Sequence, residues 1–312
     1  MVKKEEFLFD SRDGKTKIHA VRWIPEGKIC CILQIVHGMA EYVERYEELA
    51  EYFAGKGVMV TGEDHLGHGK SVPENGTYGY FCEQDPGTVV VRDVHRLKKM
   101  NQEEYPGIPY VILGHSMGSF ILRNYLFRYG NGIQGAIVCG TGSQPQALVK
   151  LCLGIEWVQR LFLGSKHVAR MIDRMAFGSY NKKISNAKTS YDWLCTDERV
   201  VQKYVEDPLC GFTFTLNGFR TLFTLLNRLN QEENLKQMPK ELPVLFIAGA
   251  ADSVGNYGNG VRKAQGDFQK VGMERTSLKL YEKERHEILN EPIRHEIYED
   301  IYSWLMERVE EY

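Results

Sequence analysis

Ser116, Asp252 and His286 follow one another along the chain in an order and in surroundings that suit acyl transfer. Ser116 is the centre of Gly114-His115-Ser116-Met117-Gly118, a GxSxG run between the apolar segment Tyr110–Leu113 and a helical pattern that begins near Met117. A strand that turns at once into a helix forces its turn residue into strained backbone angles, which only small, close neighbours permit. Gly114 and Gly118 supply that room. The turn lifts the Ser116 hydroxyl above the sheet edge, and the positive end of the following helix lies beneath the charge that develops on an attacked carbonyl.

A serine hydroxyl needs a base, and the base needs a carboxylate to orient it. Asp252 comes just after the apolar run Pro243–Ala248, and His286 comes after Leu278–Tyr281 and a short charged loop. Both therefore lie past the carboxyl end of a strand, where two loops can converge on Ser116. Rivals fit less well. His295 falls within the last helical pattern as a surface histidine, and the elbow turns the side chain of His115 elsewhere. His19 and His95 lie on early elements with no carboxylate arranged nearby. Glu282, Glu284 and Glu287 share the loop of His286 and are too local to orient it. The tetrahedral intermediate needs two backbone N–H donors. Met117, after the nucleophile, offers one. Met39 offers the other, in the loop His37-Gly38-Met39-Ala40-Glu41, where His-Gly lets the backbone bend.

Hydrophobic periodicity shows what must carry these residues. Glu6–Phe9 and Lys17–Trp23 read as an antiparallel pair joined by a turn at Asp13-Gly14. Ile29–Val36, Gly57–Thr61, Pro109–Leu113, Gly135–Cys139, Leu242–Ala248 and Ser277–Tyr281 read as further strands, several unbroken and apolar as expected of strands buried on both faces. Helical patterns separate them: one through Tyr46, Leu49, Ala50 and Phe53, one over Pro86–Glu104, one through Ile121, Leu122 and Tyr125, and one from Pro292 to Val309. The alternation predicts an α/β fold with a doubly wound, mostly parallel sheet and a ligand at the carboxyl ends of its strands. Residues 143–211 break the pattern, with amphipathic helical spacing at Leu148, Leu151, Ile155 and Val158 and again at Val168, Met171, Ile172 and Met175. This stretch is expected to be an inserted helical cap, with residues 1–142 and 212–312 forming the core.

The bulk numbers exclude several classes. The 312 residues carry a net charge of −2 with no basic tract, so nothing calls for nucleic acid as a partner. Seven cysteines have no CxxC pair and read as small core residues in a reducing compartment. The N-terminus lacks a signal-peptide core and no apolar run spans a bilayer, so the expected location is cytoplasmic. The loop Asp64–Ser71 holds Asp64, His65 and His68, but their spacing fits no zinc arrangement, and no metal is expected. Gly255–Gly260 is glycine-rich without the Lys-Ser/Thr of a phosphate loop. It reads as the lead into the next helix.

Taken together, His37–Glu41, Arg45–Ala50, Asp64–Ser71, Gly114–Gly118, Asp252 and His286 resemble the monoacylglycerol lipase and lysophospholipase-like branch of the α/β-hydrolases, also labelled the serine aminopeptidase family. The resemblance covers nearly the whole core and is weakest over 143–211. It implies the α/β-hydrolase fold, a triad of Ser116, Asp252 and His286, and an oxyanion hole at Met39 and Met117. The supporting residues are His37, Gly38, Glu41, Gly114 and Gly118. It also implies no cofactor and small-molecule esters with a single acyl chain as substrates, bound in an apolar tunnel beneath the cap. Two positions depart from the pattern: Ala40 stands where a second glycine is usual, and Leu66 where an arginine is usual. Trp157, Phe162, Phe177 and Trp193 suit a fatty acyl chain, and the outer face of the cap could touch a membrane surface transiently. A general short-chain or aromatic-acid carboxylesterase is the alternative reading. An aminopeptidase needs acidic groups to hold a free amine, and the sequence locates none. A non-catalytic ligand-binding module is the third alternative. Oligomeric state is open.

Overall fold

The computed structural model describes residues 2–312. Eight strands form one sheet: β1 (Lys3–Asp10), β2 (Lys17–Ile24), β3 (Cys31–Val36), β4 (Val58–Glu63), β5 (Tyr110–His115), β6 (Gly135–Cys139), β7 (Val244–Gly249) and β8 (Thr276–Tyr281). Their spatial order is β1-β2-β4-β3-β5-β6-β7-β8. The pairs β1·β2 and β2·β4 are antiparallel, and every other pair is parallel. Every residue of β3 to β7 is buried, which accounts for their largely apolar sequences, with Gln34, Thr61, Glu63 and His115 as buried polar exceptions. In β8, at the sheet edge, half-buried and exposed residues alternate, so its sequence alternates too.

Among the described residues ten α-helices accompany the sheet: α1 (Glu47–Gly55), α2 (Pro86–Glu104), α3 (Met117–Tyr129), α4 (Gln146–Leu163), α5 (Arg170–Phe177), α6 (Glu198–Glu206), α7 (Leu216–Leu229), α8 (Glu232–Leu235), α9 (Asn259–Lys270) and α10 (Arg294–Glu310). Helices α1 and α10 pack on one face, where Phe53, Leu49, Ile301 and Leu305 meet the Leu33, Leu113 and Ile247 side of the strands. Helices α2, α3 and α9 cover the other face through Val90, Ile121, Leu122 and Phe268. Helices on both faces make the sheet doubly wound. The order turns back at β3 and β5, and the loops leaving their carboxyl ends lie side by side, with one chain running to each face.

The segment between β6 and β7 carries α4 to α8 and, among the described residues, no strand beyond an isolated bridge between Val168 and Thr215. Helix α7 was not anticipated from the sequence. Its Leu216, Phe219, Leu222, Phe223 and Leu226 are all buried at helical spacing, and it packs against α3 and α4. Among the described residues no helix is long and apolar enough to cross a membrane.

Candidate active site

Ser116 sits between β5 and α3 with φ 54° and ψ −121°, outside the backbone regions an L-residue prefers. Its N–H donates to the Cys139 carbonyl (3.0 Å), and its own carbonyl accepts from the Ser119 N–H (2.9 Å), so the turn is held from both sides. A Cβ on Gly118 would overlap the Val36 carbonyl oxygen, and one on Gly114 would overlap the Gly118 carbonyl oxygen. Both positions therefore require glycine for close approach, as their place in the motif suggests. Gly38 serves the same purpose one loop away, since a Cβ there would stand 3.0 Å from the Ser116 Cβ. The loop after β3 thus lies directly against the serine.

His286 is buried and donates from Nδ1 to Asp252 Oδ2 at 3.0 Å. That bond fixes the tautomer that leaves Nε2 free to accept a proton. Nε2 is buried and has no hydrogen-bond partner, and His286 lines the same cavity as Ser116. Asp252 is fully buried, with its Oδ1 accepting the Val254 N–H at 2.8 Å. Met39 and Met117 line the cavity next to Ser116. Ala40 adopts φ 53°, the left-handed conformation glycine takes without strain, so its side chain carries a local backbone cost.

A buried charge network beneath these residues was not foreseen. Glu41 accepts the Gly38 N–H (2.6 Å), the Tyr46 hydroxyl (2.9 Å) and Arg45 Nη1 (2.7 Å). Arg45 also grips Glu287. His115 faces the Tyr46 hydroxyl (2.9 Å) and Glu41 (3.4 Å) through Nδ1, and the His286 carbonyl (3.2 Å) through Nε2. Every partner of His115 can accept a hydrogen bond. Burial opposes its charge, yet the hydrogen bond and charge of Glu41 prevail and raise its pKa. Burial also opposes the charge on Glu41, but His115 and Arg45 together hold it well below the usual carboxylate range. The cluster therefore sets two carboxylates, Glu41 and Glu287, around the one guanidinium of Arg45, with His115 beside Glu41. It ties the loop carrying Met39 to the loop carrying His286. The signal in the sequence was the pairing of Glu41 with Arg45 at i, i+4.

His19 departs from expectation. It lies between two carboxylates, Asp64 at Nδ1 and Glu6 at Nε2, each at 2.9 Å. The antiparallel pairing of β2 with β4 brings Asp64 next to it, a contact between distant segments that sequence proximity does not reveal. Asp64 also accepts the Val43 and Lys70 N–H groups, so it braces the loop after β4. Leu66 is buried in the core. Among the described residues only Glu6, His19 and Glu44 come close enough together to share an ion, and Lys70 pairs with both glutamates. His295 is exposed, as its place on α10 suggested. Glu287 turns to Arg45 rather than to His286.

The cavity has a volume of about 580 Å³. Ser116 and His286 form its base, and Leu148, Val149, Cys152 and Ile155 of α4 with Leu222, Phe223 and Leu226 of α7 form much of its wall. Residues 27–293 match the model of the serine aminopeptidase S33 family. The chain belongs to that family. It is 25% identical to the monoacylglycerol lipase of Mycolicibacterium smegmatis, over 97% of both chains. It is 26% identical to human monoglyceride lipase, over 92% of this chain and 86% of that one. A carboxyl esterase from Bacillus coagulans, solved with glycerol, superposes with a TM-score of 0.91 at 30% identity, covering 99% of this chain and all of that one. The family member described here is a serine ester hydrolase of the α/β-hydrolase fold.

Proposed function

We propose that the protein hydrolyses carboxylic esters with one acyl chain, of the monoacylglycerol or lysophospholipid type, through an acyl-enzyme at Ser116. The observation that carries the reading is the continuity of the cavity: a hydroxyl and an unpartnered imidazole nitrogen at its base, and a largely apolar wall from α4 and α7 above them. Its volume lies in the range of small-ligand sites, and the wall favours an alkyl chain over water. The glycerol bound to the carboxyl esterase relative is the alcohol a monoacylglycerol releases.

In this reading His286 Nε2 takes the Ser116 proton as Oγ attacks the ester carbonyl, and Asp252 stabilises the imidazolium. The Met39 and Met117 N–H groups receive the oxyanion. His286 then gives its proton to the leaving alcohol, and water, activated by the same imidazole, releases the acid and restores Ser116. We take residues 143–211 as a lid over this chemistry, with its exposed apolar face touching the lipid surface that supplies substrate. Seven free cysteines support a reducing, cytoplasmic setting.

The test is a series of p-nitrophenyl esters of rising chain length with Ser116→Ala as control. Medium to long chains should give the highest kcat/KM, and the variant should lose on the order of 10⁴-fold or more. Hydrolysis that survives in the variant would remove Ser116 from the reaction. A flat or short-chain profile would favour a general carboxylesterase.

A further inference from the structure

Three carboxylates line the cavity, and two are already bound: Glu41 and Glu287 share Arg45. Asp173 of α5 is the third. It is half-buried, with no ion pair and no side-chain hydrogen bond, and no neighbouring cation offsets its desolvation. Arg174 also borders the cavity, but it is exposed, and successive helix positions do not face one another. A half-dehydrated carboxylate without a partner is costly unless something positive reaches it.

The wall beside it is aromatic. Phe177 packs edge-on to Tyr180 at 5.5 Å between ring centroids, Tyr180 edge-on to Trp193 at 5.0 Å, and Trp193 lies 5.2 Å from the His286 ring. Tyr191, also in the wall, lies close enough for the Asp173 charge to act on its phenol. Aromatic faces carry negative potential and attract ammonium groups, quaternary ones above all. The aliphatic wall from α4 and α7 suits the acyl chain. The aromatic wall begins at His286, the group that protonates the departing oxygen, and ends on α5.

We propose that Asp173 and the Phe177–Tyr180–Trp193 wall form a subsite for an ammonium group carried by the leaving alcohol of the ester. This rests on the acyl-ester reading above and names a head-group chemistry for it: a choline-like ester, hydrolysed by water to a fatty acid and an amino alcohol. Asp173 is here a specificity residue, distant from the reacting atoms.

The experiment compares lauroylcholine with 3,3-dimethylbutyl laurate, in which a neutral carbon replaces the charged nitrogen at the same size. The wild-type enzyme should favour the choline ester by on the order of tenfold in kcat/KM. In Asp173→Asn that ratio should fall to about one. Independently of any variant, tetramethylammonium should inhibit wild-type hydrolysis of the neutral ester competitively, whereas tert-butanol at equal concentration should not. Equal rates on both esters, or a preference that survives in Asp173→Asn, overturns the subsite. Failure to hydrolyse even the neutral ester would instead remove the acyl-ester reading, so the two failures are distinguishable.

Discussion

Arg45 holds Glu287 through two parallel hydrogen bonds, Nη1 to Oε1 at 2.8 Å and Nη2 to Oε2 at 2.9 Å, across 242 positions of sequence. The pair fastens the chain entering α1 to the residue next to His286. Because Arg45 also binds Glu41, whose carboxylate accepts the Gly38 N–H, one guanidinium sets the spacing between the two loops that flank Ser116. Planar bidentate geometry makes this a precise clamp that a lysine could not reproduce.

Removing that clamp should be costly. In Arg45→Met both carboxylates lose their buried cation, and breaking a buried pair from one side typically costs about 3–5 kcal/mol. Guanidinium denaturation should show the loss, and kcat on any ester should fall with it as the loops drift. Acidification should weaken the wild-type clamp in the same direction. Glu41 and Glu287 are both held below the ordinary carboxylate range, so their contribution is complete above that range and fades as pH falls beneath it. A change under 1 kcal/mol in the variant would show that the network is incidental.

The backbone at Ser116 predicts a trade between stability and activity. Its angles belong to a region that costs a side chain on the order of 1–3 kcal/mol. Glycine relieves the strain and adds unfolded-state entropy of roughly 0.5–1 kcal/mol. Ser116→Gly should therefore abolish hydrolysis while raising stability by about 1 kcal/mol, whereas Ser116→Ala abolishes hydrolysis with no such gain. Calorimetry on the two variants separates them, and equal midpoints would mean that the turn is unstrained.

The elements around this turn were legible because both signals are local. Tyr110–Leu113 is an unbroken apolar run and Gly114 and Gly118 flank Ser116 within five residues, so neither signal needs a distant segment to be seen. Asp252 and His286 were singled out the same way, each just past an apolar strand, and the structure brings them within 3.0 Å of one another. What escaped depends on partners far off in sequence. Glu287 looked like a neighbour of His286, yet its charge belongs to Arg45. His19 looked isolated until β4 brought Asp64 beside it. Asp173 is one acidic residue in an amphipathic helix, and only the cavity shows that it lacks a partner. Helix α7 was missed although its spacing was regular, since it follows directly on the irregular residues 207–215.

Glu63 should make stability depend on pH at a distance from the chemistry. It is fully buried, one oxygen accepts from Gln34 Nε2 at 3.2 Å, and the other has no hydrogen bond, with His65 Nδ1 3.8 Å away. Burial, and after it the charge of Asp93, push its pKa up to about 8. A carboxyl whose folded pKa is raised binds its proton more tightly in the native state, so stability is highest below its unfolded pKa and declines as pH rises towards 8. Glu63→Gln, always neutral, should be more stable than wild type at pH 8, by roughly a few kcal/mol, and close to it at pH 4. Denaturation midpoints measured from pH 4 to 8 test this. Parallel curves for the two proteins would mean that Glu63 is solvated in the folded state.

The outer face of α4 bears on how substrate arrives. Phe162 is 83% exposed, and Leu151 and Leu161 are each 58% exposed. These residues do not line the cavity, so exposing them has no packing benefit in the isolated chain. Lys150, Lys166, Arg170 and Arg174, all between positions 150 and 174, are exposed as well, in a chain whose net charge is −2. Exposed apolar side chains in a segment that also exposes cations suit the surface of an anionic bilayer, where the rings and alkyl groups enter the headgroup region and the cations meet lipid phosphates. Vesicles containing phosphatidylglycerol should sediment the protein more strongly than phosphatidylcholine vesicles, with the difference shrinking as salt rises. Phe162→Ser with Leu161→Ser should weaken partition by on the order of tenfold or more, each buried apolar side chain being worth about 1.5–3 kcal/mol at full burial. The same variant should lose activity on emulsified monoacylglycerol more than on a soluble p-nitrophenyl ester, because only the first substrate must be extracted from a surface. Equal loss on both substrates would place these residues in folding rather than docking, and undiminished sedimentation would move the membrane contact to another face.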